Sequence, residues 1–193
     1  RNYKSIAPAN PIKSVYLFCD EFTNWNDVEI GKKGILLLAR LGYDIKMIDH
    51  PESGRAAFSK GLLDRAKALA EQNVQIFESI ISADMPLIGI EPSAILSSKD
   101  EYPRIVNANV RSDAKAIADH VMLIDGFIAA EIKKGNIKSA SFTTESKAIK
   151  LHGHCHQKAL TNIEDSIWLL SIPANYNVEQ IPSGCCGMAG SFG

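Results

Sequence analysis

The spacing of apolar residues along the chain predicts strands and helices in alternation. Short apolar or alternating runs predict β-strands at residues 14–18, 43–48, 87–90, 149–151 and 178–181. Apolar residues at helical spacing predict helices over residues 27–42, 61–82, 112–134 and 158–170, with a short helical stretch at 93–102. This alternation favours an α/β fold with a mostly parallel sheet.

The two halves of the chain share one order of elements. In the first half a strand leads to Cys19, a helix follows, and a second strand leads to a motif that begins at Glu52. In the second half the corresponding positions are Cys155 and Cys185, and the separations of 33 and 30 positions are close. We therefore expect two similar repeats that each contain a βαβ unit, with their motif loops facing a shared cleft.

The repeats give a domain prediction. The first repeat, with a degenerate motif, covers residues 1–105, and the second, with an intact motif, covers residues 106–193. The sequence starts at Arg1 instead of a methionine and stops at Gly193 within a glycine-rich stretch. We expect it to be a fragment of a longer protein, with the second repeat truncated at its carboxyl end.

Composition restricts the classes of partner. The 193 residues are 46% hydrophobic, which suffices for a core without disulfides, so the four cysteines are available for chemistry. With 21 basic and 22 acidic residues interspersed there is no basic stripe, which argues against a nucleic-acid partner. No apolar run approaches the roughly 20 residues of a transmembrane segment, and residues 1–5 are not a signal peptide. We therefore expect a cytoplasmic location, where thiols stay reduced.

The strongest chemical signal lies in two loops near the end of the chain. They read His-Gly-His-Cys-His at residues 152–156 and Ser-Gly-Cys-Cys-Gly at residues 183–187. Thiolates and imidazoles are ligands that suit zinc and iron. Adjacent cysteines disfavour a simple zinc finger, whereas a cluster of several metal atoms could use both. The candidate metal ligands are Cys155, Cys185, Cys186, Cys19, His154 and His156.

The glycines of the second loop are candidates for contact with a cofactor. Gly184, Gly187 and Gly190 permit positive φ and let backbone N–H groups approach an anionic centre. An inert loop of tight turns with buried thiols is one alternative. A redox dithiol at Cys185 and Cys186 is another, because a vicinal disulfide is strained and easily reduced.

The same residues carry a resemblance to a known family. A Cys-Cys-Gly motif preceded by a distant cysteine resembles the cysteine-rich CCG domain, which occurs in heterodisulfide reductase, in the iron–sulfur proteins of glycolate and lactate oxidation, and in FAD-linked oxidases. The strings at residues 152–159 and 184–193 are most similar to the C-terminal region of the FAD-linked oxidases. Those at residues 59–63 and 89–93 are similar to it as well.

The resemblance implies a function. In that family a flavin domain of the same polypeptide oxidises a 2-hydroxy acid such as lactate, glycolate or 2-hydroxyglutarate, and the CCG region relays electrons to an acceptor. It implies an iron–sulfur cluster in this chain, FAD in a missing N-terminal part, and a protein or quinone as the electron acceptor. The matching cysteines would be Cys155, Cys185 and Cys186 in the second motif and Cys19 in the first.

Departures from the family pattern limit the metal content. Where the family commonly has Cys-Cys-Gly-Arg, this chain has Glu-Ser-Gly-Arg at residues 52–55, and Ala94 replaces a further common cysteine. Four thiols suffice for one site and are too few for two. Either one cluster remains, or a zinc or iron ion has replaced it with help from histidine, and Glu52 could supply an oxygen ligand.

No catalytic constellation stands out in the sequence. There is no Gly-x-Gly-x-x-Gly after a strand and no Ser-His-Asp set, so we assign no catalytic residue and expect the isolated domain to turn over nothing. The leading hypothesis is an electron-transfer domain of an FAD-linked oxidoreductase. The rival hypothesis is a structural or docking module that holds zinc or no metal.

Overall fold

Six strands and ten α-helices make up the part of the chain that the computed structural model describes, residues 7–187. The strands are β1 (Ser14–Leu17), β2 (Asp44–Lys46), β3 (Leu87–Gly89), β4 (Val121–Leu123), β5 (Lys147–Leu151) and β6 (Tyr176–Gln180). The helices are α1 (Glu21–Trp25), α2 (Val28–Arg40), α3 (Arg55–Ser59), α4 (Leu63–Phe77), α5 (Pro92–Lys99), α6 (Tyr102–Ile105), α7 (Arg111–Ala118), α8 (Ile124–Lys133), α9 (Cys155–Leu160) and α10 (Ile163–Leu170).

The chain divides into two compact units. Among the described residues, the first unit comprises residues 7–123 with Gly187, and the second comprises residues 124–186. We call them the first unit and the second unit.

The first unit is built on a four-stranded parallel sheet in the order β2-β1-β3-β4. All three residues of β3 are buried, as expected for a central strand of a parallel sheet covered by helices. The chain passes from β1 to β2 on one side and then returns to place β3 on the other side of β1. Because the direction of winding reverses between β1 and β3, the carboxyl ends of these strands are where ligands bind in folds of this type.

The second unit contains a parallel pair, β5 and β6, in register from Lys147 opposite Tyr176 to Leu151 opposite Gln180. Two helices, α9 and α10, connect the strands, and α10 packs beside α8. In the first unit β1 and β2 are likewise connected by two helices, α1 and α2.

The predicted α/β class with mostly parallel strands is confirmed. The single helix predicted over 112–134 is wrong, because α7, β4 and α8 occupy this stretch. Strand β4 pairs with β3 and buries Val121 and Leu123. A three-residue apolar run fits a helical period as well as a strand, and only the partner strand decides between them.

Two further boundaries differ from the sequence prediction. The polar stretch after β1 contains α1, because the Asp20 carboxylate accepts a hydrogen bond from the backbone N–H of Thr23 and caps the helix. The helix predicted over 158–170 is two helices, α9 and α10, with Asn162 capping the second. Within residues 7–187 no helix combines the length and apolar character needed to cross a bilayer.

Candidate functional site

The second unit brings two cysteines from separate loops together. Cys155 is the first residue of α9, and Cys185 lies in the loop that follows β6. Their Sγ atoms are 3.3 Å apart. Cys155 is half-buried, whereas Cys185 and the adjacent Cys186 are exposed. Two of the three predicted thiols of this unit therefore meet at its surface.

Hydrogen bonds from residues on either side of Cys155 hold the loop that contains Cys185. His152 Nε2 donates to the carbonyl of Gly184 at 3.2 Å, and Lys158 Nζ donates to the carbonyl of Ser183 at 2.9 Å. A side chain at Gly153 would overlap those of Lys158 and Ile163, so glycine lets the first loop lie close to α9 and α10. The sulfur atoms are thus held near one another by their surroundings.

A buried amide fixes the helix that carries Cys155. The Nε2 atom of Gln157 donates to Asp125 Oδ2 at 2.9 Å and to Ser166 Oγ at 2.8 Å, and the Ser166 hydroxyl also donates to Asp125. These three residues belong to α9, α8 and α10, so one network joins all three helices. Neither Gln157 nor Ser166 was a candidate from the sequence, because hydrogen bonds between distant positions leave no periodic signal.

The pKa of the Cys155 thiol is raised above its ordinary value. The largest cause is its hydrogen bond with Cys185, followed by burial, while the backbone N–H of His156 acts in the opposite direction. The Cys155 thiol is therefore harder to deprotonate than a free cysteine, and a metal that binds there displaces its proton.

The histidines flanking Cys155 take part in local structure. His154 is the N-cap of α9, and its Nδ1 atom accepts the backbone N–H of His156 at 3.2 Å. Gly187 has a φ of +75°, a conformation that glycine adopts without strain, and Gly184 is exposed. Gly190 lies outside the described residues.

Cys19 belongs to the first unit, whereas the other five predicted ligands belong to the second. Its backbone N–H donates to His50 Nε2 at 3.1 Å, and its thiol donates to Asn24 Oδ1 at 3.6 Å. Burial raises the pKa of the Cys19 thiol, and the charge of Asp20 adds to this effect. His50, which follows β2, thus positions the backbone at Cys19.

A hydrogen-bonded network occupies the first motif. The Glu21 carboxylate accepts bonds from the Ser53 hydroxyl at 2.7 Å and from the Ser53 N–H at 2.9 Å. Tyr102 donates its hydroxyl to the Ser53 carbonyl at 2.8 Å, and Asn73 donates to the Glu52 carbonyl at 3.0 Å. Ser53 is fully buried. The sequence singled out only the departure at residues 52–55, not the partners that fill the site.

The donor set of the second unit fits a zinc or iron group in chemical type, with two thiols converging and a third next to them in sequence. Among residues 7–187, however, no three His, Cys, Asp or Glu side chains converge as a metal-binding group. In the first motif the buried Ser53 donates to both carboxylate oxygens of Glu21, so its hydroxyl is engaged within the protein. The carboxylate of Glu52 is 3.5 Å from Arg65.

Comparison with known proteins relates nearly the whole chain to parts of larger dehydrogenases. D-2-hydroxyglutarate dehydrogenase of Haemophilus influenzae is 25% identical over 182 residues, which are 93% of this chain and 17% of that protein. The Pantoea ananatis enzyme of the same name is 25% identical over 191 residues, with shares of 98% and 18%. One subunit of the anaerobic glycerol-3-phosphate dehydrogenase of Escherichia coli is 25% identical over 197 aligned positions, with shares of 100% and 48%.

The chain thus spans about a fifth to a half of the length of these relatives. No family model matches the sequence, and no solved structure matches it.

Proposed function

We propose that this chain is an electron-transfer domain of a flavin-dependent oxidoreductase. The observation that carries the proposal is that dehydrogenases named for two different substrates, 2-hydroxyglutarate and glycerol 3-phosphate, both resemble the chain over almost its full length. A segment common to enzymes with different substrates performs a step that they share. Transfer of electrons away from the oxidised substrate is such a step.

In this proposal the electrons originate at FAD in another part of the same polypeptide, which oxidises a 2-hydroxy acid, and end on an acceptor protein or a quinone. The location is cytoplasmic, and the organisation is that of two CCG-type repeats, residues 1–105 and 106–193. The proximity of two thiols, one at the start of α9 and one in the loop after β6, supports the assignment for the second repeat.

The proposed ligands are Cys155, Cys185 and Cys186, with His154 and His156 beside them and Cys19 as a further candidate. A bound iron–sulfur cluster would supply one-electron redox chemistry. The chain's own contribution is to fix the sulfur atoms: the Gln157 network holds α9, and Lys158 holds the loop that contains Cys185. Gly184, Gly187 and Gly190 would let backbone N–H groups approach the group that the thiolates bind.

Protein purified without oxygen tests the proposal. We expect visible absorption together with iron and inorganic sulfide, and we expect the Cys155→Ser and Cys185→Ser variants to lose both. Cys19→Ser is the comparison variant: retention of metal places the site in the second unit alone, while loss makes Cys19 a ligand. Protein without iron and sulfide would refute electron transfer through a cluster.

A structural or docking module is the second candidate function. It is favoured by the filled first motif, where the Ser53 hydroxyl donates to Glu21 in the place of a family cysteine. Colourless protein with stoichiometric zinc would support this candidate. If the purified protein contains no metal and its thermal stability does not change when zinc or iron is added, the result supports a docking module that binds no metal.

A further inference from the structure

The second unit contains three thiols, and the structure indicates which two of them are placed to form a disulfide. The Sγ atoms of Cys155 and Cys185 are already 3.3 Å apart across two loops. Cys185 and Cys186 are neighbours in sequence, and Cα atoms joined by a trans peptide are about 3.8 Å apart, whereas disulfides usually need about 4.4–6.8 Å. Geometry thus favours the pair between loops over the vicinal pair.

The two thiols of the closer pair differ in accessibility. Cys185 is exposed on its loop, whereas Cys155 is half-buried at the start of α9. A reagent in solution therefore reaches Cys185 more easily. The less exposed sulfur of Cys155 is then close enough to attack a mixed disulfide formed at Cys185. The hydrogen bonds from His152 to Gly184 and from Lys158 to Ser183 hold the loops in this arrangement.

We propose that Cys155 and Cys185 form a reversible intramolecular disulfide when no metal is bound, with a small-molecule disulfide as the oxidant. The Cys185 thiolate attacks one sulfur atom of the oxidant, the S–S bond of the oxidant breaks, and one small thiol leaves. The Cys155 thiolate then attacks the mixed disulfide at Cys185, and the second small thiol leaves. Two electrons pass from the protein sulfur atoms to the oxidant, and both thiol protons are released or taken up by the leaving thiolates.

The disulfide is a property additional to the proposed electron transfer, and its formation does not depend on that function. Because the disulfide uses two of the proposed metal ligands, formation of the bond closes the site to metal, and reduction opens it again. The second unit would then accept a metal only under reducing conditions.

Oxidised glutathione added to reduced, metal-free protein tests the proposal. We expect free thiols to fall from four to two, the intact mass to drop by two hydrogen atoms, and dithiothreitol to reverse both changes. The Cys186→Ser and Cys19→Ser variants are the matched controls: each should lose two of three thiols, and digestion of Cys186→Ser should give a peptide that joins positions 155 and 185. Cys155→Ser should stop at a stable glutathione adduct on Cys185.

The proposal fails if Cys186→Ser forms no intramolecular bond, if the bond in the wild-type protein joins Cys155 to Cys186, or if only adducts or disulfide-linked dimers appear. Circular dichroism spectra that match the wild type exclude misfolding of the serine variants as the cause. Metal content is measured on a separate, anaerobic sample. Protein that binds no metal yet forms the bond refutes the cluster alone, and protein that binds iron yet forms no bond refutes the disulfide alone.

Discussion

The Gln157 network offers the sharpest test of how the second unit positions Cys155. Gln157→Met keeps the length and flexibility of the side chain but removes both hydrogen bonds that its amide donates. A bond to a carboxylate contributes about 1.5–3 kcal/mol and a bond to a hydroxyl about 0.5–1.5 kcal/mol, so the free energy of unfolding should fall by about 2–4.5 kcal/mol. Gln157→Glu should cost more, because it places a second carboxylate beside Asp125.

Urea unfolding followed by the fluorescence of Trp168 measures this loss. Trp168 lies in α10 of the second unit, and a Trp25→Phe background removes the other of the two tryptophans at a position that is 78% exposed. With an m-value of about 2 kcal/mol/M, a loss of about 3 kcal/mol lowers the urea midpoint by about 1.5 M. Gln180→Met, on the exposed surface of β6, is the control and should change stability by less than about 0.5 kcal/mol.

Two results would refute the reasoning. The first is a Gln157→Met variant whose stability lies within about 0.5 kcal/mol of the wild type, since both bonds would then contribute nothing net. The second is a Gln157→Glu variant as stable as Gln157→Met, since the carboxylate of Asp125 would then not face position 157.

Three further predictions concern the first unit. Burial lowers the pKa of the His50 imidazole, so as pH drops the unfolded chain takes up a proton at this residue before the folded chain does. The free energy of unfolding should therefore fall below about pH 6.5, by up to about 1.4 kcal/mol per pH unit. In urea titrations at several pH values the His50→Asn variant should lose this part of the pH dependence, and equal slopes for variant and wild type would contradict the prediction. Ser53→Ala should cost about 1.5–3 kcal/mol in urea unfolding, and much less in a Glu21→Gln background if the bond between them is the cause. Gly89→Ala should cost about 1–3 kcal/mol, because its Cβ would overlap Ile95, and a thermal midpoint unchanged from the wild type would argue against that contact.

The element order could be predicted from the sequence to a large extent, because it depends on local periodicity. Strand β1 and helix α2 lie where the apolar pattern puts them, and Gly42 ends α2 with a positive φ of 94°. Strand β4 could not be found in the same way. Its three residues become a strand by pairing with β3, and that pairing is a property of the fold.

The candidate site was predictable in its chemistry but not in its geometry. The loops at residues 152–156 and 183–187 stand out by residue type alone. The sequence predicted that these loops lie close together, but not that Cys155 and Cys185 are the pair in contact or that His154 caps a helix. The network that fills the first motif also escaped prediction, because Glu21 and Ser53 are ordinary residues until the fold brings them together.

By itself, then, the sequence determined the α/β class, the order of its main strands and helices, and the concentration of thiols and imidazoles near its end. Tertiary structure decided which sulfur atoms lie together, which polar side chains are buried as partners, and where the chain divides into units. The physical reason is range: periodicity and capping act over a few residues, whereas Gln157 meets Asp125 across 32 positions and Cys155 meets Cys185 across 30. Such contacts form only when packed strands and helices bring distant residues within hydrogen-bonding distance.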